Sequence, residues 1–288
     1  MASVSPGADR AAWLVPPVRP SQPHGSPGGS FVTATQSGAR AHTPNIDVAP
    51  VQKRPRKKAP FPLDLYQTAV GKKWVMAITG LGLMGFVFAH MIGNLKMYLG
   101  PEEFNHYAEF LRELLVPILP RTVALWLMRI GLIVMFALHI HAAYSLTVMN
   151  RKARPTAYQS KRDYIAANWA SRTMRITGII VALFLLFHLA DLTWGIGFIN
   201  SAFERGQAYE NVTYSLGRPL VAAIYIVANL ALGVHLFHGV WSLFQSMGWN
   251  NPRFNSWRRG LAAGIAAIVV AGNVSFPIAV LANIVKVS

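Results

Sequence analysis

Two histidines three residues apart, His235 and His238, lie inside the apolar run GVHLFHGVWSLFQSMGW of residues 233–249. Four more, His90, His139, His141 and His188, sit in other apolar blocks of the chain. A neutral imidazole carries one N–H donor and one lone pair, and in hydrocarbon both need a partner. Three chemistries answer that need: ligation of a metal or cofactor, a place on a proton path, or a hydrogen bond to a backbone carbonyl of a neighbouring helix. His24, His42 and His106 lie outside the apolar blocks and receive no role.

The elements that must position these rings are membrane helices. The 288 residues are 53% hydrophobic and 13% charged, with a mean hydropathy of +0.34, and the apolar residues gather into five blocks at about 74–98, 122–148, 173–197, 218–246 and 260–285. Each is near or above the roughly 20 residues that cross a bilayer. The reading is an all-α membrane protein of five transmembrane helices, four of them forming a cofactor-binding bundle. Residues 61–288 form that domain, and residues 1–60 a disordered basic tail rich in Pro, Ser and Gly, with organellar targeting as the alternative.

The net charge of +16 does not indicate nucleic acid, because the bases sit in the tail and in loops between apolar blocks. Bases are dense before the first span, between spans two and three (Arg151, Lys152, Arg154, Lys161, Arg162, Arg172) and between spans four and five (Arg253, Arg258, Arg259). That places the N-terminus in the cytoplasm and the C-terminus outside, in a multi-pass protein of the cell inner membrane. There is no cysteine. A self-contained iron–sulfur cluster, a Cys-based zinc site and a c-type haem are therefore excluded, and metal chemistry must use His or borrow thiolates from another chain.

A helical rise of about 1.5 Å per residue converts position into depth. His90 and His188 fall in the outer half of spans one and three. An inner layer is drawn from His139 or His141 in span two and His235 or His238 in span four. Two histidines facing at one level are what bis-imidazole haem iron needs, and two levels make a ladder for electrons. His139 and His141 point about 200° apart, so at most one serves a given cofactor, whereas His235 and His238 share a face. The fifth span has no histidine and reads as packing.

GKKWVMAITGLGLMGFVFAHMIGNLKMYLG (71–100), HAAYSLTV (141–148), RTMRITGIIVALFLLFHLADLTWG (172–195) and HLFHGVWSLFQSMGWN (235–250) together resemble the b558-type cytochrome b membrane anchor of succinate dehydrogenase and fumarate reductase, respiratory complex II. The resemblance covers about residues 70–285. It implies two haem b groups, with His90 and His188 as ligands of the outer one and His141 and His235 of the inner one. His139, His238 and Arg175 are secondary candidates. It also implies a flavoprotein subunit that carries the dicarboxylate chemistry, an iron–sulfur subunit, a quinone with menaquinone the expected species, and a complex open to further oligomerisation.

Quinone headgroup candidates are Asp191 and Trp194 near the outer layer, and Ser171, Arg172, Trp241 and Gln245 nearer the inner side. The alternatives are a Rieske-type [2Fe-2S] cluster completed by a partner's cysteines, a transporter with a histidine proton path, and a purely structural anchor.

Overall fold

The computed structural model describes residues 60–153, 165–249, 251 and 255–286, and of 165–172 and 255 the backbone alone. The tail expected over residues 1–60 lies outside them apart from Pro60. The helices are α1 (Leu63–Gln67), α2 (Ala69–Asn94), α3 (Pro101–Arg112), α4 (Val123–Ala153), α5 (Ile165–Leu192), α6 (Ala208–Leu216), α7 (Pro219–Ser246) and α8 (Asn255–Leu281). No strand occurs among the described residues. Five helical stretches are long and apolar enough to cross a membrane: Ala69–Leu99, Val123–Ala153, Thr173–Leu192, Pro219–Ser246 and Ser256–Leu281. This is the five-span all-α architecture the sequence implies.

Local chemistry sets the ends. Thr68 caps α2, its side chain accepting from Gly71 N–H at 2.9 Å. Pro219 opens α7 at a position where the missing N–H loses nothing. The third span stops sooner than the apolar pattern suggests, at Leu192 instead of 197. Gly195 there has φ +61°, and a Cβ on it would lie 2.0 Å from the Phe203 ring, so the chain turns where only glycine fits. Trp194 is consequently in a loop rather than in the span. The fifth span also ends earlier, at Leu281.

The connections after the first and third spans contain helices rather than plain loops. α3 begins with Pro101 and places Glu102 and Glu103 in its first turn, where the helix dipole favours carboxylates. α3, which carries the exposed His106, packs against α6. Asn105 joins them, donating to Glu210 at 3.0 Å and accepting from Tyr209 N–H at 2.9 Å. The result is a cap over one end of the bundle, closed by a core that includes Phe104, Tyr209, Leu216 and Phe276.

Two antiparallel pairs form beneath it, α2 with α4 and α5 with α7, each joined through a cap helix. α8 buttresses α7 and α2. Small residues let it approach: a Cβ on Gly233 would lie 2.3 Å from Val270, and one on Gly272 2.3 Å from the Met91 sulfur. Gly233→Val should therefore cost about 1–3 kcal/mol of overpacking against the stiff Val270. Thermal denaturation in detergent should show a lowered midpoint for it, whereas Gly85→Ala, with nothing within 4 Å of the new methyl, should leave the midpoint in place.

Candidate functional site

The histidines occupy two levels. At the level nearer the cap, His90 of α2 faces His188 of α5 with ring centroids 6.0 Å apart and planes crossed at 79°. Deeper, His139 of α4 faces His235 of α7 at 6.5 Å and 69°. His139 lies beside Thr79 and Gly80, so about ten residues of α2, or roughly 15 Å of helix, separate the levels.

The hydrogen bonds fix which ring nitrogen is free to ligate. His139 Nδ1 lies 3.2 Å from the Met76 carbonyl, which can only accept, so Nδ1 carries the proton. Thr79 Oγ1, whose own proton goes to Val75 O at 2.7 Å, stands 3.3 Å from the same nitrogen. α5 repeats the arrangement. Thr177 donates to Thr173 O at 2.7 Å and lies 3.4 Å from His235 Nδ1. At the cap-side level His188 Nδ1 is 3.2 Å from the Tyr225 hydroxyl, whose proton goes to Asp191 Oδ2 at 2.8 Å. The phenol therefore accepts from His188. In all three rings the lone pair remains on Nε2, the tautomer of a metal-ligating histidine whose other nitrogen is held by the protein.

Spacing and surroundings fit a cofactor held between facing rings. With a metal–nitrogen bond of about 2 Å and the ring centre roughly 1 Å further, two imidazoles on one iron have centroids about 6 Å apart. Both pairs match. Glycine opens each inner ring's setting: a Cβ on Gly80 would stand 3.1 Å from His139 Cε1, and one on Gly178 3.3 Å from His235 Cε1. Phe86 stacks on His90 at 5.4 Å, and Phe184 lies 5.9 Å from His188. Among the described residues no group of three or more His, Asp or Glu could hold a metal by itself. The donor sets are pairs, which suit the two axial positions of a haem iron.

Two of the expected site residues lie apart from the facing pairs. His141, given by the resemblance as the inner ligand, does not face His235. It is exposed, with Nδ1 2.5 Å from the Tyr66 hydroxyl, because two residues of helix turn it about 200° away from His139. Asp191 is enclosed by neighbouring side chains. It is fully buried, its Oδ2 accepting from Ser215 at 2.5 Å and from Tyr225, and its Oδ1 from Arg218 at 3.3 Å. His238 is also buried, next to Phe237 and one turn from His235. Arg175 and Gln245 are exposed, Trp241 is half-buried against Phe237, and Trp194 is exposed. The side chains of Ser171 and Arg172 lie outside the described residues.

Thr79, Gly80, Thr177, Gly178 and Tyr225 were missed by reading histidines alone. The signal was a direct repeat: Met76-Ala77-Ile78-Thr79-Gly80 with His90 ten residues on, and Met174-Arg175-Ile176-Thr177-Gly178 with His188 ten residues on. The structure lays each Thr-Gly against the histidine of its own partner helix, His139 or His235. His139 and His235 are therefore equivalent positions of two similar halves, as are His90 and His188.

The family model described as succinate dehydrogenase/fumarate reductase transmembrane subunit matches residues 148–274. The succinate dehydrogenase cytochrome b558 subunit of Bacillus subtilis (strain 168) is 26% identical over 164 residues, covering 57% of this chain and 72% of that protein. No solved structure matches.

Removing Asp191 should leave the guanidinium of Arg218 and the hydroxyls of Ser215 and Tyr225 without their acceptor. Because Arg218 keeps about a third of its side chain exposed, Asp191→Ala is expected at the lower end of the range for a broken buried pair, about 3 kcal/mol. Detergent melting curves of the variant and the parent check this.

Proposed function

We propose that the chain is a member of the succinate dehydrogenase/fumarate reductase transmembrane-subunit family it resembles, and that it anchors a succinate:quinone oxidoreductase and conducts its electrons to a membrane quinone. The dicarboxylate chemistry belongs to other subunits, a flavoprotein and an iron–sulfur protein. The observation that carries the reading is the stack of two facing histidine pairs, His139 with His235 and His90 with His188, drawn from equivalent positions of two helix pairs.

Haem b, when bound, supplies one-electron redox chemistry at its iron. The chain's own part is to hold and tune. Met76, Thr79 and Thr177 hold Nδ1 of the inner imidazoles and so leave Nε2 for a ligand. Gly80 and Gly178 leave space beside those rings. Arg175, two residues from Thr177 and exposed, offers a cation to a carboxylate at the inner level. The basic loops form the docking face for the soluble subunits, which puts that face and the N-terminus in the cytoplasm. Quinone headgroup contacts are assigned to Trp241 and Gln245 at that end and Trp194 at the cap end, with menaquinone the expected species.

Depth favours haem over a cluster shared with a partner. His139 lies fourteen residues before the end of α4, and Thr79, which it touches, ten residues into α2. A partner's cysteines would have to reach roughly 15 Å down the bundle. A transporter would need a polar path, but His139, His188 and His235 hydrogen-bond within their own helix pairs and His90 stacks on Phe86.

The purified complex should show a reduced-minus-oxidised b-type spectrum with two haems per chain. Absence of haem iron would sink the proposal. His139→Ala and His235→Ala should each lower the haem content by about half, since each would remove one of the two histidines that would hold one haem, and His141→Ala should keep both haems. If His141→Ala were the variant that lost haem, the inner pair would have to be redrawn.

A further inference from the structure

The three assigned Nδ1 donors do not meet the same kind of acceptor. His139 and His235 donate to neutral groups, a threonine oxygen and a backbone carbonyl. His188 donates to a phenol whose proton is given to a carboxylate, in the order His188, Tyr225, Asp191. Asp191 is fully buried and Tyr225 is 7% exposed. Nothing in this chain is free to swing. Phe184 and Phe187 pack edge-on against the Tyr225 ring, at 5.0 and 6.1 Å, while Ser215 and Arg218 hold both oxygens of Asp191.

The other half of the protein lacks this device. Tyr225 stands ten residues before His235 on α7, and the residue ten before His139 on α4 is Arg129. Register places Arg129 at the level of His90, because Gly80 meets His139 across an antiparallel pair. Arg129 is exposed and lies over the Trp126 ring at 5.0 Å, and it has no acceptor to offer an imidazole N–H.

We propose that Tyr225 and Asp191 are positioning residues for the cap-side cofactor: the hydrogen-bonded series from Asp191 through Tyr225 fixes the His188 tautomer and raises the electron density of its ligating nitrogen. A carboxylate behind a ligating histidine makes it a stronger base, and a stronger base favours the oxidised metal. Here the carboxylate acts one phenol removed. The series therefore lowers the potential of the cap-side haem relative to what a neutral acceptor would give, and it leaves the inner haem untouched. The inference rests on the assignment of His90 and His188 as ligands.

Redox titration of the purified complex, followed by haem absorbance and by low-temperature electron paramagnetic resonance of the oxidised haems, tests it. In Tyr225→Phe the midpoint of one haem should move upward with a change in its resonance position, and the other should hold. Asp191→Asn keeps the shape of the side chain and removes its charge, and should move the same haem in the same direction. In the Tyr225→Phe background, Asp191→Asn should add little, because the coupling runs through the phenol. An unchanged midpoint in Tyr225→Phe would overturn the proposal, as would an equal effect of Asp191→Asn with and without Tyr225. Failure of the ligand assignment looks different: the cap-side haem would survive replacement of His188 by alanine.

Discussion

The arrangement of this protein follows from the cost of an imidazole N–H in hydrocarbon. Each such proton needs an acceptor, and the nearest acceptors are on the helix packed alongside. His139 finds Met76 and Thr79 on α2, His235 finds Thr177 on α5, and His188 finds Tyr225 on α7. Once Nδ1 is bound inside a helix pair, the lone pair of Nε2 is left for something outside it. Two pairs built alike, brought face to face, set opposed histidines at two heights. The scaffold thereby satisfies a local hydrogen-bond requirement and, on the proposed function, would create the ladder in the same step.

Close packing makes that satisfaction possible. Threonine mid-helix returns its own proton to the carbonyl four residues back, as Thr79 does to Val75 and Thr177 to Thr173, which turns its oxygen into a pure acceptor for the histidine. Glycine at the next position lets the imidazole lie against the helix surface. Thr-Gly is thus a seat for a histidine of the neighbouring helix. α8 has no such seat, and its role is to fill the remaining side of the bundle through the close approaches at Gly233 and Gly272.

Much of this was legible in the sequence. Block lengths gave five spans, and rise per residue put His90 level with His188. The inner layer was less legible, because the choice between His139 and His141 depends on the rotation of α4 about its axis, and one strand of sequence does not say which neighbour that helix meets. The HAAY motif drew attention to His141, whereas the repeated Met-x-Ile-Thr-Gly marks two equivalent seats, one of them occupied by His139. The surroundings of Asp191 were hidden for a related reason. A carboxylate at a span end looks available for a ligand, and only the return of α6 and α7 brings Ser215, Arg218 and Tyr225 around it. The helical cap was written locally, in Pro101 with Glu102 and Glu103, but its packing partner α6 lies about a hundred residues away.

The two halves differ where difference matters to a ladder. A strictly duplicated scaffold would give its equivalent ligands equivalent surroundings, and a relay gains direction only if its stations differ. At the inner level the halves agree, with a Thr-Gly seat on each side. At the cap-side level they diverge: α7 carries Tyr225 tied to a buried carboxylate, and α4 carries Arg129 at the matching position, while His90 is held by the stacked ring of Phe86. As the proposed ligands of one cofactor, His90 and His188 would meet it with unlike electronic support. The asymmetry lies in the acceptors of the ring protons rather than in the histidines themselves, so it would adjust one station while leaving the four-histidine framework unchanged.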